Sequence, residues 1–463
     1  MKIKHPLTEG KSPASAGSPC GYQRAALLLL LLCWSLVRPV HAGEVTYYYT
    51  FGEKDGGVGV VAIDDKTGKW ATLPPVAASG VDSPEKLAVS KNGDRLIVSS
   101  DASDAVEIYA LGKEPKLVSQ LHIKDETDDV MATGNHALVL DGGGMFSWID
   151  LDQGKLEKAW DSHGLTPPGN KGEGIFFLPT GNLGNLGNLA LVTFQKDNSK
   201  GTRFGSRVVV FDLDKTESKF DLQLPRNHPE CNIKGNLKEQ GPNPEVAFIA
   251  PKSDTLALTL DLYGAIAFTK LSSVLEGKWE NLDYVSCAQD GSLGNAFPDR
   301  GCLFEAGGKE RLLISNASPN GGLVLFDVAS HKVEQKFAAS AGAENPVFLS
   351  KSKKVVTCIS GKIKTRGDEK QNKIYKPEND LLVFDVAPLE NGKDATLERI
   401  AFDKPVFRVE AVAPGENDLL FLALGAPEQQ SELVLYDLAT RKILHREPAL
   451  GAVERIRAWR KPE

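Results

Sequence analysis

A hairpin pattern repeats along this chain, and a repeat restricts the possible folds more than any composition does. From Leu323 to Val333 the sequence is apolar up to Asp327, turns through small and polar residues, and becomes apolar again. From Leu433 to Ile443 it does the same almost residue for residue, with Asp437 at the turn. Asp64, Asp150, Asp212 and Asp385 hold the same place in further copies, and Ala110 and Thr269 stand in for the Asp in two weaker ones. The copies follow one another every ~40–60 residues, giving eight units.

The Asp has a local task. Its carboxylate accepts backbone N–H groups two and three residues on, which closes a tight turn. A second hairpin lies upstream in each unit, as in Leu87–Val98 and Val246–Ala257. Two hairpins make four short strands rich in Val, Ile, Leu, Phe and Tyr, broken by Gly, Asn, Asp and Pro. Four antiparallel strands per repeat is the size of a propeller blade. The first unit has three strands, starting near Val45, Val58 and Lys69, while the chain ends on a spare one from Val453 to Trp459. The expected fold is therefore all-β: an eight-bladed β-propeller, with seven blades as the alternative. The C-terminal strand completes the N-terminal blade.

The hairpins at Val324–Val333 and Leu433–Ile443 resemble those of exported β-propellers with YVTN-like or quinoprotein-like (WD40-like) repeats. The resemblance covers nearly all of the chain after its leader. It implies the propeller architecture and leaves function open, because such propellers serve many functions.

Arg24 precedes an apolar run from Ala25 to Val37, followed by Val40-His41-Ala42. This reads as a signal peptide over residues 1–42, with a mature protein starting near Gly43. The run is short for a membrane span, which needs ~20 apolar residues. A periplasmic or secreted monomer without a membrane span is expected after cleavage. The net charge of -7 is spread along the chain, which argues against a nucleic-acid partner. Four cysteines follow the leader: Cys231, Cys287, Cys302 and Cys358. An even count in an exported chain fits disulfides. Cys287 and Cys302 flank one loop and form the expected pair, with Cys231 and Cys358 left unassigned.

Long loops gather on one face of the blades, and binding residues concentrate on such loops above a rigid scaffold. One column stands just before each innermost strand: Glu85, Asp128, Glu173, Glu245, Arg300, Asn345, Arg408 and Glu454. These residues form a ring at the mouth of the axial channel. The ring reads either as a self-neutralised network or as a funnel for a cation or small polar ligand. A metal site for Zn or Cu is the alternative, built from His163, His228 and Cys231 with ring carboxylates. The basic stretch from Lys362 to Lys376 reads as a solvated loop. No Gly-x-Ser-x-Gly or phosphate-cradling glycine motif is present, and no catalytic residue is assigned. The sequence points to a binding protein for a ligand or protein partner. Metal delivery and lactonase-like or quinoprotein-like catalysis remain as alternatives.

Overall fold

The apolar runs become strands whose burial depends on their place in a blade. The second strand of one blade, Thr255–Leu260, is buried at every residue. The third strand of another, Leu323–Asp327, is buried throughout as well. Outermost strands such as Lys116–His122 are largely exposed. A middle strand has a neighbouring blade on both faces, so it carries an unbroken apolar run. An outer strand meets water and turns polar.

The structure is a computed structural model. It describes residues 45–460 except 53–56, 79, 82–83, 101, 162–169, 179–187, 197–205, 225–241, 281, 295, 320 and 365–374. Eight four-stranded antiparallel sheets form the blades of a ring, as the sequence predicts. The first strands of successive blades adjoin one another around the axis. Eight clusters of buried apolar residues fill the seams, one between each pair of neighbouring blades.

The ring closes as expected. The strand Arg455–Arg460 lies innermost in the first blade and pairs antiparallel with Val45–Phe51, Ala458 opposite Tyr48. Tyr48 fastens this blade to the last one. Its ring stacks on Phe421 at 4.4 Å, and its hydroxyl donates to the Ala411 carbonyl at 2.7 Å. A buried aromatic in such a seam contributes about 3–5 kcal/mol relative to Ala.

The Asp turns do the local work assigned to them. The Asp437 Oδ1 accepts the N–H groups of Ala439 and Thr440 at 2.9 and 3.2 Å. Asp64 and Asp150 cap their turns in the same way. In the fifth blade the register puts Lys270, rather than Thr269, at the Asp position. There a short helix, α1 (Leu271–Leu275), replaces the tight turn. Asp254 takes over the carboxylate's role and accepts Ser272 N–H at 2.8 Å.

The expected Cys287–Cys302 disulfide does not form. Both residues, and Cys358, are free thiols. Cys287 follows the outermost strand of the fifth blade, and Cys302 sits on the innermost strand of the sixth. Cys287 lies in the seam beside Asn316 on the second strand of the sixth blade, whose Nδ2 donates to its carbonyl at 3.3 Å, whereas Cys302 stands opposite Leu313, three residues or ~10 Å further along that strand. That is too far for a disulfide, whose Cα atoms lie within about 7 Å.

Candidate binding site in the axial channel

Every innermost strand starts at the mouth of the channel, and most start with a defect. Register shifts mark β-bulges near the beginning of six of them, around Asp128, Glu173, Glu245, Asp299, Asn345 and Phe407. A bulge inserts an extra residue and re-aims its side chain. Here it turns polar residues into the mouth of an otherwise apolar barrel wall.

Five of the seven charged residues singled out in the sequence line one cavity: Glu85, Asp128, Glu173, Glu245 and Arg300, with Asn345 beside them. The cavity measures about 620 Å³, within the range that holds small organic ligands. Arg408 and Glu454 are not part of its lining. Arg408 is buried, with its guanidinium over the Phe407 ring at 4.1 Å and its Nη1 donating to the Phe407 carbonyl at 2.8 Å. Its Nε donates to the Glu454 carbonyl. In the closing strand it is Arg455, the next residue, that reaches the cavity and pairs with Glu85.

The long loop of the seventh blade supplies a residue that was read as solvated. Lys364 reaches across to the fifth and sixth blades. Its Nζ stands 2.8 Å from Glu245 Oε1, 3.5 Å from Asp299 and 3.8 Å from Asp261. Its own N–H donates to the Ala317 carbonyl at 2.8 Å, which anchors the approach. Burial pushes the Glu245 carboxyl well above the usual carboxylate range. Asp299, Asp261 and Glu173 add to the rise, and Lys364 only partly offsets it. Burial would raise Asp299 too, but Lys364, Arg300, Lys362 and a hydrogen bond from Glu245 hold it below the usual range. The two carboxyls are thus pushed in opposite directions by one shared set of neighbours. This half of the ring is the self-neutralised network that the sequence left as one of two readings.

Three residues further along each innermost strand lies a second tier: Ala88, Met131, Phe176, Phe248, Leu303, Phe348, Ala411 and Arg457. Seven of these are apolar, and Met131, Phe176, Phe248, Leu303 and Arg457 line the same cavity. The site is thus a polar rim above an apolar wall with one guanidinium in it. Near this level, Glu410 lines two smaller cavities of about 300 and 360 Å³. Burial pushes its carboxyl up to about 7, with Arg457 pulling weakly the other way.

The sequence reading missed Lys364 because nothing local marks which lysine of a basic loop will be drawn into an acidic pocket. It missed the apolar tier although the aligned strands contain it, because only the polar column drew notice. The proposed metal ligands His163, His228 and Cys231 lie outside the described residues. A different set comes together on the opposite face. The ligand atoms of His136, Asp150 and Glu157 all lie within 4.8 Å of one another in the third blade. His136 and Asp150 are direct cross-strand partners, and Glu157 is the extra residue of a bulge.

The fold and its axial cavity are those of an eight-bladed β-propeller. No protein-family model matches the sequence, and no curated protein matches it either. Solved structures do share the fold. The dihydro-heme d1 dehydrogenase NirN in complex with DHE gives a TM-score of 0.64 at 13% identity, covering 91% of this chain and 76% of that one. Saccharomyces cerevisiae Sqt1 gives 0.56 at 12%, covering 81% and 90%. Apo AztD from Citrobacter koseri gives 0.52 at 14%, covering 90% and 98%. At these identities the likeness is one of fold.

Proposed function

We propose that this protein is a non-catalytic binding propeller that takes a small ligand into its axial cavity from the loop-rich face. The observation that carries this reading is the cavity of about 620 Å³, with a charged rim over an apolar wall. Pockets of this size and mixed character hold small molecules in many proteins. NirN, which shares the fold, was solved with a bound DHE molecule, and that supports a propeller of this shape as a ligand holder. The leader-like residues 1–42 place the protein outside the cytoplasm in this reading, in the periplasm or secreted. Among the described residues no helix is long and apolar enough to cross a membrane.

The test is to block the cavity. Val246 is half-buried and lines it, so Val246→Trp should fill much of the space without touching the seams between blades. Native mass spectrometry of untagged full-length protein, after incubation with a small-molecule library, should show adducts on the parent chain that the variant lacks. Adducts retained by the blocked variant would place binding elsewhere and end this reading.

A second reading rests on the cluster in the third blade. His136, Asp150 and Glu157 present one imidazole and two carboxylates, a donor set suited to Zn²⁺. Asp150 Oδ1 is already used by the N–H groups of Asp152 and Gln153, and His136 stacks on Trp148, so the ring is oriented before any ion arrives. Zinc titration by calorimetry on untagged protein tests it. His136→Ala should abolish the heat signal, and an unchanged signal would remove this cluster from consideration.

A further inference from the structure

The cavity's charges are not equally available. The carboxylates that line it are drawn back. Glu85 is 8% exposed and Asp128 is 7% exposed. Asp129 spends one oxygen on the Ile175 N–H at 2.8 Å and the other on the Val130 N–H at 2.9 Å. Glu245 is held by Lys364 on the rim's far side, and Glu173 stays half-buried.

The cations stand forward. The Arg300 side chain is 38% exposed, and its Nε stands a loose 3.7 Å from Asp299, with the carboxylates of Glu344, Glu245 and Glu173 also acting on it from further off. Arg455 is 34% exposed although it pairs with Glu85. Arg457 is exposed and leans on the Met131 sulfur at 3.4 Å, a weak acceptor. Lys86 also reaches the lining. An exposed guanidinium with donors to spare presents a planar pair that matches a carboxylate, sulfonate or phosphate. Between these cations lie Met131, Phe176, Phe248 and Leu303, which suit an apolar or flat aromatic body.

We propose that the cavity is selective for organic anions with an apolar body, the acid group meeting Arg300 and Arg457 and the body lying over the apolar tier. This rests on the cavity-binding reading above and reverses the ligand charge expected from the sequence. The acidic column looked like a cation funnel, but folding turns its carboxylates toward lysine, arginine and backbone partners. The cationic tips are left facing the space.

A matched pair of fluorescent probes tests it on the full chain. 1-Anilinonaphthalene-8-sulfonate carries a sulfonate on an aromatic body, and N-phenyl-1-naphthylamine is its uncharged counterpart. The anionic probe should bind saturably, one per chain, about tenfold tighter than the neutral one, the size expected for one charge-assisted contact. Arg300→Gln combined with Arg457→Gln should erase that preference, weakening the anionic probe about tenfold more than the neutral one. Arg300→Lys with Arg457→Lys should restore part of it. Val246→Trp should weaken both probes. Laurate added as competitor should displace the anionic probe, whereas laurylamine should not. Far-UV circular dichroism and thermal melts of each variant report whether the fold is intact.

Equal affinities for the two probes, or an anion preference that survives the double Arg→Gln change, would overturn the anion assignment and leave cavity binding standing. No saturable binding of either probe, or binding untouched by Val246→Trp, would overturn the cavity reading itself and this inference with it.

Discussion

A largely acidic column circles the ring at each end, with six Asp at the plain face and five carboxylates at the mouth, and the two behave in opposite ways. At the plain face, Asp64, Asp150, Asp212, Asp327, Asp385 and Asp437 each accept N–H groups from their own turn, two or three residues away. At the mouth, Glu85 pairs with Arg455 across the chain's closure. Glu245 pairs with a lysine two blades further on. The same functional group is a self-contained turn device in one place and one node of a ring-wide network in the other. Sequence distance decides which: a local acceptor set is guaranteed by the backbone, whereas a remote one depends on the whole ring being assembled.

If that contrast is right, breaking the mouth costs far more than breaking a turn. Lys364→Ala should destabilise the protein by about 3–5 kcal/mol, the usual penalty for leaving buried charge uncompensated, read as a lower urea midpoint. A loss no larger than that of a turn variant would show the network is not coupled to folding. Coupling can be measured directly. In a double-mutant cycle Lys364→Ala and Glu245→Gln should interact by about 1–3 kcal/mol, whereas Asp212→Ala and Asp437→Ala, in separate blades, should add to within about 0.5 kcal/mol.

Glu410 sharpens the comparison through pH. Burial pushes its carboxyl up to about 7 in the fold, against 4.5 for an ordinary glutamate. The folded state therefore binds the proton more tightly than the unfolded chain does. Its contribution is fully present below pH 4.5 and is lost as pH rises through about 7. Glu410→Gln should accordingly raise stability at pH 8 by about 1–2 kcal/mol, discounted for water in the channel, and change little at pH 4. Thermal melts at the two pH values check this, and an equal gain at both would mean the carboxyl is not perturbed. The smallest effect belongs to the plain face. Asp437→Ala should cost about 1 kcal/mol, read as a urea midpoint, and a cost above about 3 kcal/mol would mean that its role reaches beyond its own turn.

The same difference in range explains what could be read before folding. Blade number, closure by the last strand and the turn-capping Asp residues are all written in short windows of sequence, and all are present in the structure. Thr269 was placed one residue early because α1 interrupts the pattern that marks the column. The mouth was half legible. Aligning the strands located Glu85, Asp128, Glu173, Glu245 and Arg300 at one cavity. It said nothing about the bulge just before Arg408, whose side chain is buried, since a bulge is a relation between two strands; nor did it show that the unbulged closing strand would bring Arg455, rather than Glu454, to the cavity. Lys364 was invisible for a stronger reason: its partners lie about 50 to 120 residues away in sequence, and only the closed ring brings them together. The disulfide failed because nearness along a loop was taken for nearness across a blade.

The closing strand has one more consequence. Arg455 and Arg457 belong to the last segment of the ring to be made, yet they sit opposite residues from the second to the sixth blade in the cavity wall. A ribosome releases them only after every other blade exists. A chain that has lost this strand would keep most of its sheets but would lack both a wall of the cavity and two of its forward cations. An intact channel wall thus reports that the closing strand is in place, and a protease that trims that strand would open the cavity long before it dismantles the propeller.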